Sequence, residues 1–205
     1  MYTNPMKEEA QRSDEELLES FVHGNADAMD SLVLRYRDAL FHWFLGMTGS
    51  HADAEDLFQD CWIRIIRAAD RFTAISFKAW MWRIAKNLLT DYRRRQRGDL
   101  SLDAPVATGD DGTDVSLGER IASSESAPSE RLETADLYAK VVEAVRRLPE
   151  KQREVFLLRT EADLSFKEIA EQLGVPLNTA LGRMHDAMEK LKGWLADGSA
   201  EGGEK

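Results

Sequence analysis

Apolar residues along this chain recur at three- and four-residue steps, and nowhere do they alternate with polar ones for long. Ser13 followed by Glu16 has the form of a capping box and opens a short helix through about Val22. Met29, Leu32, Val33, Tyr36, Leu40 and Phe44 make the apolar stripe of a second helix over 26–47. A third, over 51–69, turns Leu57, Trp62, Ile65 and Ile66 inward. Ser76 caps a fourth, in which Phe77, Trp80, Met81, Ile84, Leu88 and Tyr92 face a core. No Asn-Gly hairpin signal interrupts the pattern, so the expected fold class is all-α.

The helical pattern stops near Gly98. Residues 98–129 are rich in Asp, Ser, Gly, Ala and Pro, and their few large apolar groups cannot form a core. This stretch is expected to be a flexible acidic linker. Periodicity returns near Glu130 with Leu137, Val141, Val142 and Val145, and Pro149 suits the first turn of the next helix, which carries Val155, Phe156 and Leu158. Ser165 and Glu168 form another capping box, opening a short helix with Ile169, Ala170 and Leu173 inward. A tight turn at Leu173-Gly174-Val175-Pro176 then leads to a last helix from about Asn178 to Leu195. Short helix, glycine turn and longer helix, with a small residue at the crossing, is the helix-turn-helix pattern, although a plain helical hairpin has the same outline. The expected organisation is two small helical domains, 14–97 and 130–195, joined by the linker, with flexible ends at 1–13 and 196–205.

Charge sharpens this picture. The 205-residue chain carries a net charge of −10, yet residues 71–98 hold eight Lys/Arg against one Asp, a local +7. The basic island lies on the fourth helix, where Arg83, Lys86, Asn87, Thr90, Arg94 and Arg97 share the polar side, with Trp82 at its edge. Cations neutralise phosphates, an amide hydrogen-bonds base edges and an indole stacks on an unpaired base, so this face suits a nucleic acid. A solvated helix face has the same composition. The single cysteine, Cys61, excludes an internal disulfide, and the four histidines show no metal-ligand spacing. There is no GxxxxGK[ST] loop, no apolar run of about 20 residues and no apolar stretch near the N-terminus. No cofactor, no membrane insertion and a cytoplasmic location are therefore expected, and no nucleophile–base pair points to an enzyme.

Three motifs in this order resemble the bacterial sigma factors, specifically the two-domain extracytoplasmic-function group. The segment DAEDLFQDCWIRII (53–66) resembles the part that binds core RNA polymerase. FKAWMWRIAKNLLTDYRRR (77–95) resembles the part that opens and reads the −10 promoter element, and 148–184 resembles the domain that reads the −35 element. The resemblance implies an acidic surface of Asp53, Glu55, Asp56, Gln59 and Asp60 for the β′ clamp helices of the polymerase, with a further contact to the β flap. It implies −10 contacts from Trp82, Arg83, Lys86, Asn87, Thr90 and Arg94, with Asn87 near a pocket for a flipped base. The −35 candidates are Asn178, Thr179, Leu181, Arg183, His185 and Lys190. It also implies promoter DNA and an anti-sigma factor as partners, and a linker whose carboxylates imitate nucleic-acid phosphates.

The recognition helix departs from the family. Where relatives commonly have Thr-Val-(Arg/Lys)-Ser-Arg, this chain has Thr179-Ala180-Leu181-Gly182-Arg183, and Asp186 stands at a later basic position. Apolar reading of a thymine methyl by Leu181 is expected to replace part of the usual charge contact. Two other function classes fit less of the chain. A simple helix-turn-helix regulator explains 165–195 but neither the acidic segment nor the basic helix, and a helical adaptor explains neither polar face.

Overall fold

Helix α1 (Asp14–Val22) begins where its capping box dictates: Ser13 Oγ accepts the Glu16 N–H at 3.2 Å, and the Glu16 carboxylate accepts the Ser13 N–H at 2.8 Å. The Ser13 N–H, and then the Ser13 hydroxyl, hold the Glu16 carboxyl below its ordinary range. The structure, a computed structural model, describes residues 12–74, 76–99 and 140–200, and these are helical apart from short turns and loops. Most of the expected linker and the start of the helix expected from Glu130 lie outside the described residues. The chain divides into two units, one of residues 1–44 and 52–103, the other of 45–51 and 104–205.

The first unit holds α1, most of α2 (Ala26–Thr48), α3 (His51–Ala68) from its second residue, a 3-10 turn (Ala69–Arg71) and α4 (Phe77–Asp99). Their buried residues follow the helical period: Leu17 and Leu18 of α1, Met29, Leu32, Tyr36 and Leu40 of α2, and Leu57, Cys61 and Ile65 of α3. Trp43 of α2 packs edge-on against Trp82 of α4, with ring centroids 5.5 Å apart, and both indoles are buried. Burying a large aromatic pair of this kind is among the stronger apolar contributions a small helical core can have.

Three sequence expectations change here. Trp82, expected at the edge of the DNA face, is 1% exposed and belongs to the core. Trp80, expected inside, is half-buried and rests on Phe72 and Phe77, at 5.2 and 6.0 Å. The cause is the breadth of the buried arc of α4, which takes in Phe77, Met81, Trp82, Ala85, Leu88 and Leu89. Ile66, expected inward, is 45% exposed, because Ala54, Leu57, Cys61, Trp62 and Ile65 already fill the inner side of α3.

Cys61 is fully buried, and burial pushes its thiol up to about 12, with the nearby Asp60 adding to the rise and Arg64 opposing it. A thiol so raised stays protonated and unreactive at neutral pH. Alkylating reagents at pH 8 are expected to leave Cys61 unmodified in the folded protein and to modify it fully in denaturant, as read by intact mass.

The second unit contains helical residues 140–147 (α5), then α6 (Glu150–Thr160), α7 (Phe166–Leu173) and α8 (Leu177–Ala200). Pro149 is the N-cap of α6 rather than its first residue. Ser165 and Glu168 make the predicted capping box of α7, with bonds of 3.3 and 2.7 Å. Gly174 closes α7 at φ 64°, a left-handed conformation that glycine adopts without the Cβ penalty, and Val175 N–H returns to Ala170 C=O at 3.0 Å. Pro176 C=O accepts the Thr179 N–H at 2.9 Å and so starts α8, which continues past the expected end at Leu195. Ala170 and Ala180 are buried, which lets α7 and α8 approach closely at the turn.

Candidate functional site

Two polar faces of the first unit and one of the second carry the predicted site residues. On α3, Glu55, Asp56, Gln59 and Asp60 are exposed. Asp53 is half-buried and accepts the Tyr92 hydroxyl of α4, which also receives the Gln96 side-chain amide at 3.1 Å. Burial, and then this bond to Asp53, raise the Tyr92 phenol above its ordinary range. A cleft of about 460 Å³ opens between α3 and α4, lined by Asp53, Asp56, Leu57, Gln59, Asp60, Ile63, Tyr92, Arg95 and Gln96. The structure thus gathers Asp53, Asp56, Gln59 and Asp60 around one concavity, while Glu55, exposed one turn before Gln59, does not line it.

Two residues that the sequence reading missed complete this face. Ile63 is 43% exposed and lies four residues after Gln59 and three after Asp60, and Ile66 follows at the next step. A strip of acids and an amide flanked by exposed isoleucines differs from an ordinary acidic helix start, where negative charge near the dipole explains the acids alone. Ile63 was legible in the sequence, since it falls on the same side as Gln59 and Asp60. Apolar groups among complementary charges are what a specific protein interface contains.

On α4, Arg83, Asn87, Thr90 and Arg94 are exposed and Lys86 is half-buried. Thr90 Oγ donates to Lys86 C=O at 2.9 Å, which leaves the hydroxyl oxygen able to accept. Arg94 pairs with Asp91 at 3.2 Å, and Asp91 also faces Arg64 of α3 at 3.8 Å. Trp80, three residues before Arg83 and seven before Asn87, borders the same side of the helix. Its half-exposed ring, backed by Phe72 and Phe77, is a firmer stacking platform than a free surface indole.

On α8 the six candidates separate into two faces. Asn178, Leu181 and His185 are exposed and fall together at three- and four-residue steps. Thr179, Arg183 and Lys190 lie on another side with Asp186, and two of these residues turn toward α6. Lys190 Nζ donates to Gln152 Oε1 at 3.0 Å, and Gln152 Nε2 donates to Asp186 Oδ2 at 3.4 Å. Leu181 is 40% exposed, so it is not a core residue, and an added Cβ on Gly182 would meet nothing within 4 Å. Among the described residues no group of His, Cys, Asp and Glu is placed to hold a metal ion, and no helix is long and apolar enough to cross a membrane.

The chain matches known sequence families. The Sigma-70 region 2 family matches residues 32–98, and the Sigma-70 region 4 family matches residues 138–191. The chain is 32% identical over 175 residues to the ECF RNA polymerase sigma factor SigW of Bacillus subtilis, covering 85% of this chain and 92% of SigW. It is 27% identical over 182 residues to the RNA polymerase sigma-H factor of Pseudomonas aeruginosa, covering 88% of this chain and 93% of that protein. In fold it is similar to CnrH, solved in complex with the cytosolic domain of CnrY, with a TM-score of 0.60, 24% identity and coverage of 91% and 99%. RpoE of Bartonella quintana, solved with the anti-sigma factor NepR, gives a TM-score of 0.59 at 21% identity, with coverage of 82% and 96%. From these matches and the helices that carry them, the chain belongs to the ECF sigma factors of the sigma-70 family.

Proposed function

We propose that this protein is an alternative sigma factor that binds core RNA polymerase and directs promoter-specific transcription initiation. The observation that carries the reading is the pairing of two faces on one small helical unit. An acidic and apolar strip on α3, suited to a basic coiled coil, adjoins a basic, amide-bearing face on α4, suited to melted DNA. The strip of Asp56, Gln59, Asp60, Ile63 and Ile66 docks on the β′ clamp helices. Glu55 and Asp53 lie at its margins. Arg83, Lys86, Asn87, Thr90 and Arg94 then face the −10 element, with Asn87 at the flipped base and Trp80 in the stacking role expected of Trp82. The cost of unstacking a base, a few kcal/mol, is offset by the pocket and the phosphate contacts, so no nucleotide hydrolysis is needed.

The second unit reads the −35 element through the N-terminal turns of α8 and meets the β flap. The protein acts by binding rather than by catalysis, works in the cytoplasm, and is held inactive by an anti-sigma factor until a signal releases it. The domain division at 14–97 and 130–195, with an acidic linker in the polymerase, belongs to the same reading. Size-exclusion chromatography with purified core polymerase tests it. A stable one-to-one complex is expected, and failure to bind core at micromolar concentrations would overturn the proposal and leave a simple DNA-binding regulator.

The exposed Leu181 gives the −35 reading its own test. With Leu181 and Asp186 where relatives place cations, binding is expected to be more A·T-biased and less salt-dependent than in those relatives. Leu181→Arg is expected to strengthen promoter binding and to steepen the slope of log affinity against log salt by about one. An unchanged slope would mean that this position does not approach the phosphates.

A further inference from the structure

We propose that helix α1 is a positioning element for the DNA-facing helix α4, acting through Glu15. This rests on the reading of α4 as the −10 helix. The three consecutive acids in the first turn of α1 go to three different places. Glu16 is used within its own helix, in the capping box with Ser13. Asp14 accepts from the Arg35 guanidinium and the Tyr36 hydroxyl of α2, and Arg35 also donates to Arg12 C=O at 3.0 Å. Glu15 reaches across the unit: its Oε1 accepts the backbone N–H of Phe77, 62 residues along the chain, at 2.8 Å.

That N–H is the first of α4 and has no partner inside the helix. The neighbouring cap comes from Ser76, whose Oγ accepts the Ala79 N–H at 3.3 Å. The start of α4 is therefore held from two sides, once by its own chain and once by α1. The Glu15 carboxylate also places negative charge at the positive end of the helix dipole. Phe77 is fully buried, and its ring lies 5.9 Å from that of Tyr36, so the Asp14 anchor and the Glu15 cap converge on one point. Burial, and then the bond to Asp14, drive the Tyr36 phenol far above its ordinary range, which keeps that anchor protonated and donating at all physiological pH. Trp80, Arg83 and Asn87 follow within about three helical turns of this point. A helix transmits a shift or rotation of its first turn along its length, so Glu15 fixes where these groups meet the DNA.

The test uses the full chain with core polymerase and two variants, Glu15→Ala and Glu15→Gln. Glu15→Ala is expected to bind core polymerase as tightly as the wild type, because Glu15 is not on the α3 strip, and to open promoters about fivefold more slowly. In the free protein, exchange of the Phe77 amide hydrogen is expected to rise by a similar factor. Glu15→Gln keeps the acceptor oxygen and is expected to restore most of both. Wild-type opening by Glu15→Ala would overturn the proposal. So would parallel loss of core binding and thermal stability, which would make Glu15 a general stability residue. If the wild type itself opens no promoter with core polymerase, the reading of α4 fails, and Phe77 exchange alone decides whether Glu15 caps the helix.

Discussion

Replacing both Asp56 and Asp60 with lysine is expected to abolish assembly with core RNA polymerase, lowering affinity at least about a hundredfold. Like charges brought together across an interface cost several kcal/mol, and two reversals within one short strip act on the same basic partner. Both side chains are exposed, and surface charges of this kind contribute little to stability. Circular dichroism and the thermal midpoint are therefore expected to stay close to those of the wild type. Affinity for core measured by fluorescence anisotropy checks the first part, and an unchanged value would remove α3 from the interface.

The second large effect is expected from Asn87→Ala. Asn87 is exposed on the polar side of α4, bordered by Trp80 and Arg83 and backed by a helix whose opposite side is closed by Met81, Ala85 and Leu88. A good amide–base contact discriminates by about 1–3 kcal/mol, so the variant is expected to open promoters roughly tenfold or more slowly and to lose preference at one −10 position. Binding to core is expected to remain intact. Permanganate reactivity of promoter thymines reports the opening, and wild-type reactivity would assign the base to another residue of α4.

Much of the architecture was legible because local signals were strong and agreed with one another. The capping boxes at Ser13 and Ser165 and the left-handed Gly174 fix three helix ends through hydrogen bonds made within a few residues. What failed was the orientation of side chains near the edge of an apolar stripe. Trp80 and Trp82 lie on opposite borders of the buried arc of α4, and periodicity alone does not say which border the rest of the core covers. Trp43 of α2 decides it by packing against Trp82. Ile66 was misplaced for the same reason, at the border of a side already filled by Trp62 and Ile65. The Glu15–Phe77 bond was not legible at all, since its partners are distant in sequence and the acid looks like any other in a helix first turn. That Asp186 and Lys190 of α8 turn toward α6 was likewise not legible, because it depends on Gln152, a residue of another helix.

The central claim is that this chain gives core polymerase the ability to choose a promoter. Run-off transcription with purified core polymerase on a randomised promoter library tests it most directly. Transcripts that appear only when the protein is added, enriched for two separated sequence elements near the −10 and −35 positions, are the predicted result. Transcription that is independent of the protein, or transcripts with no enriched element, would contradict it.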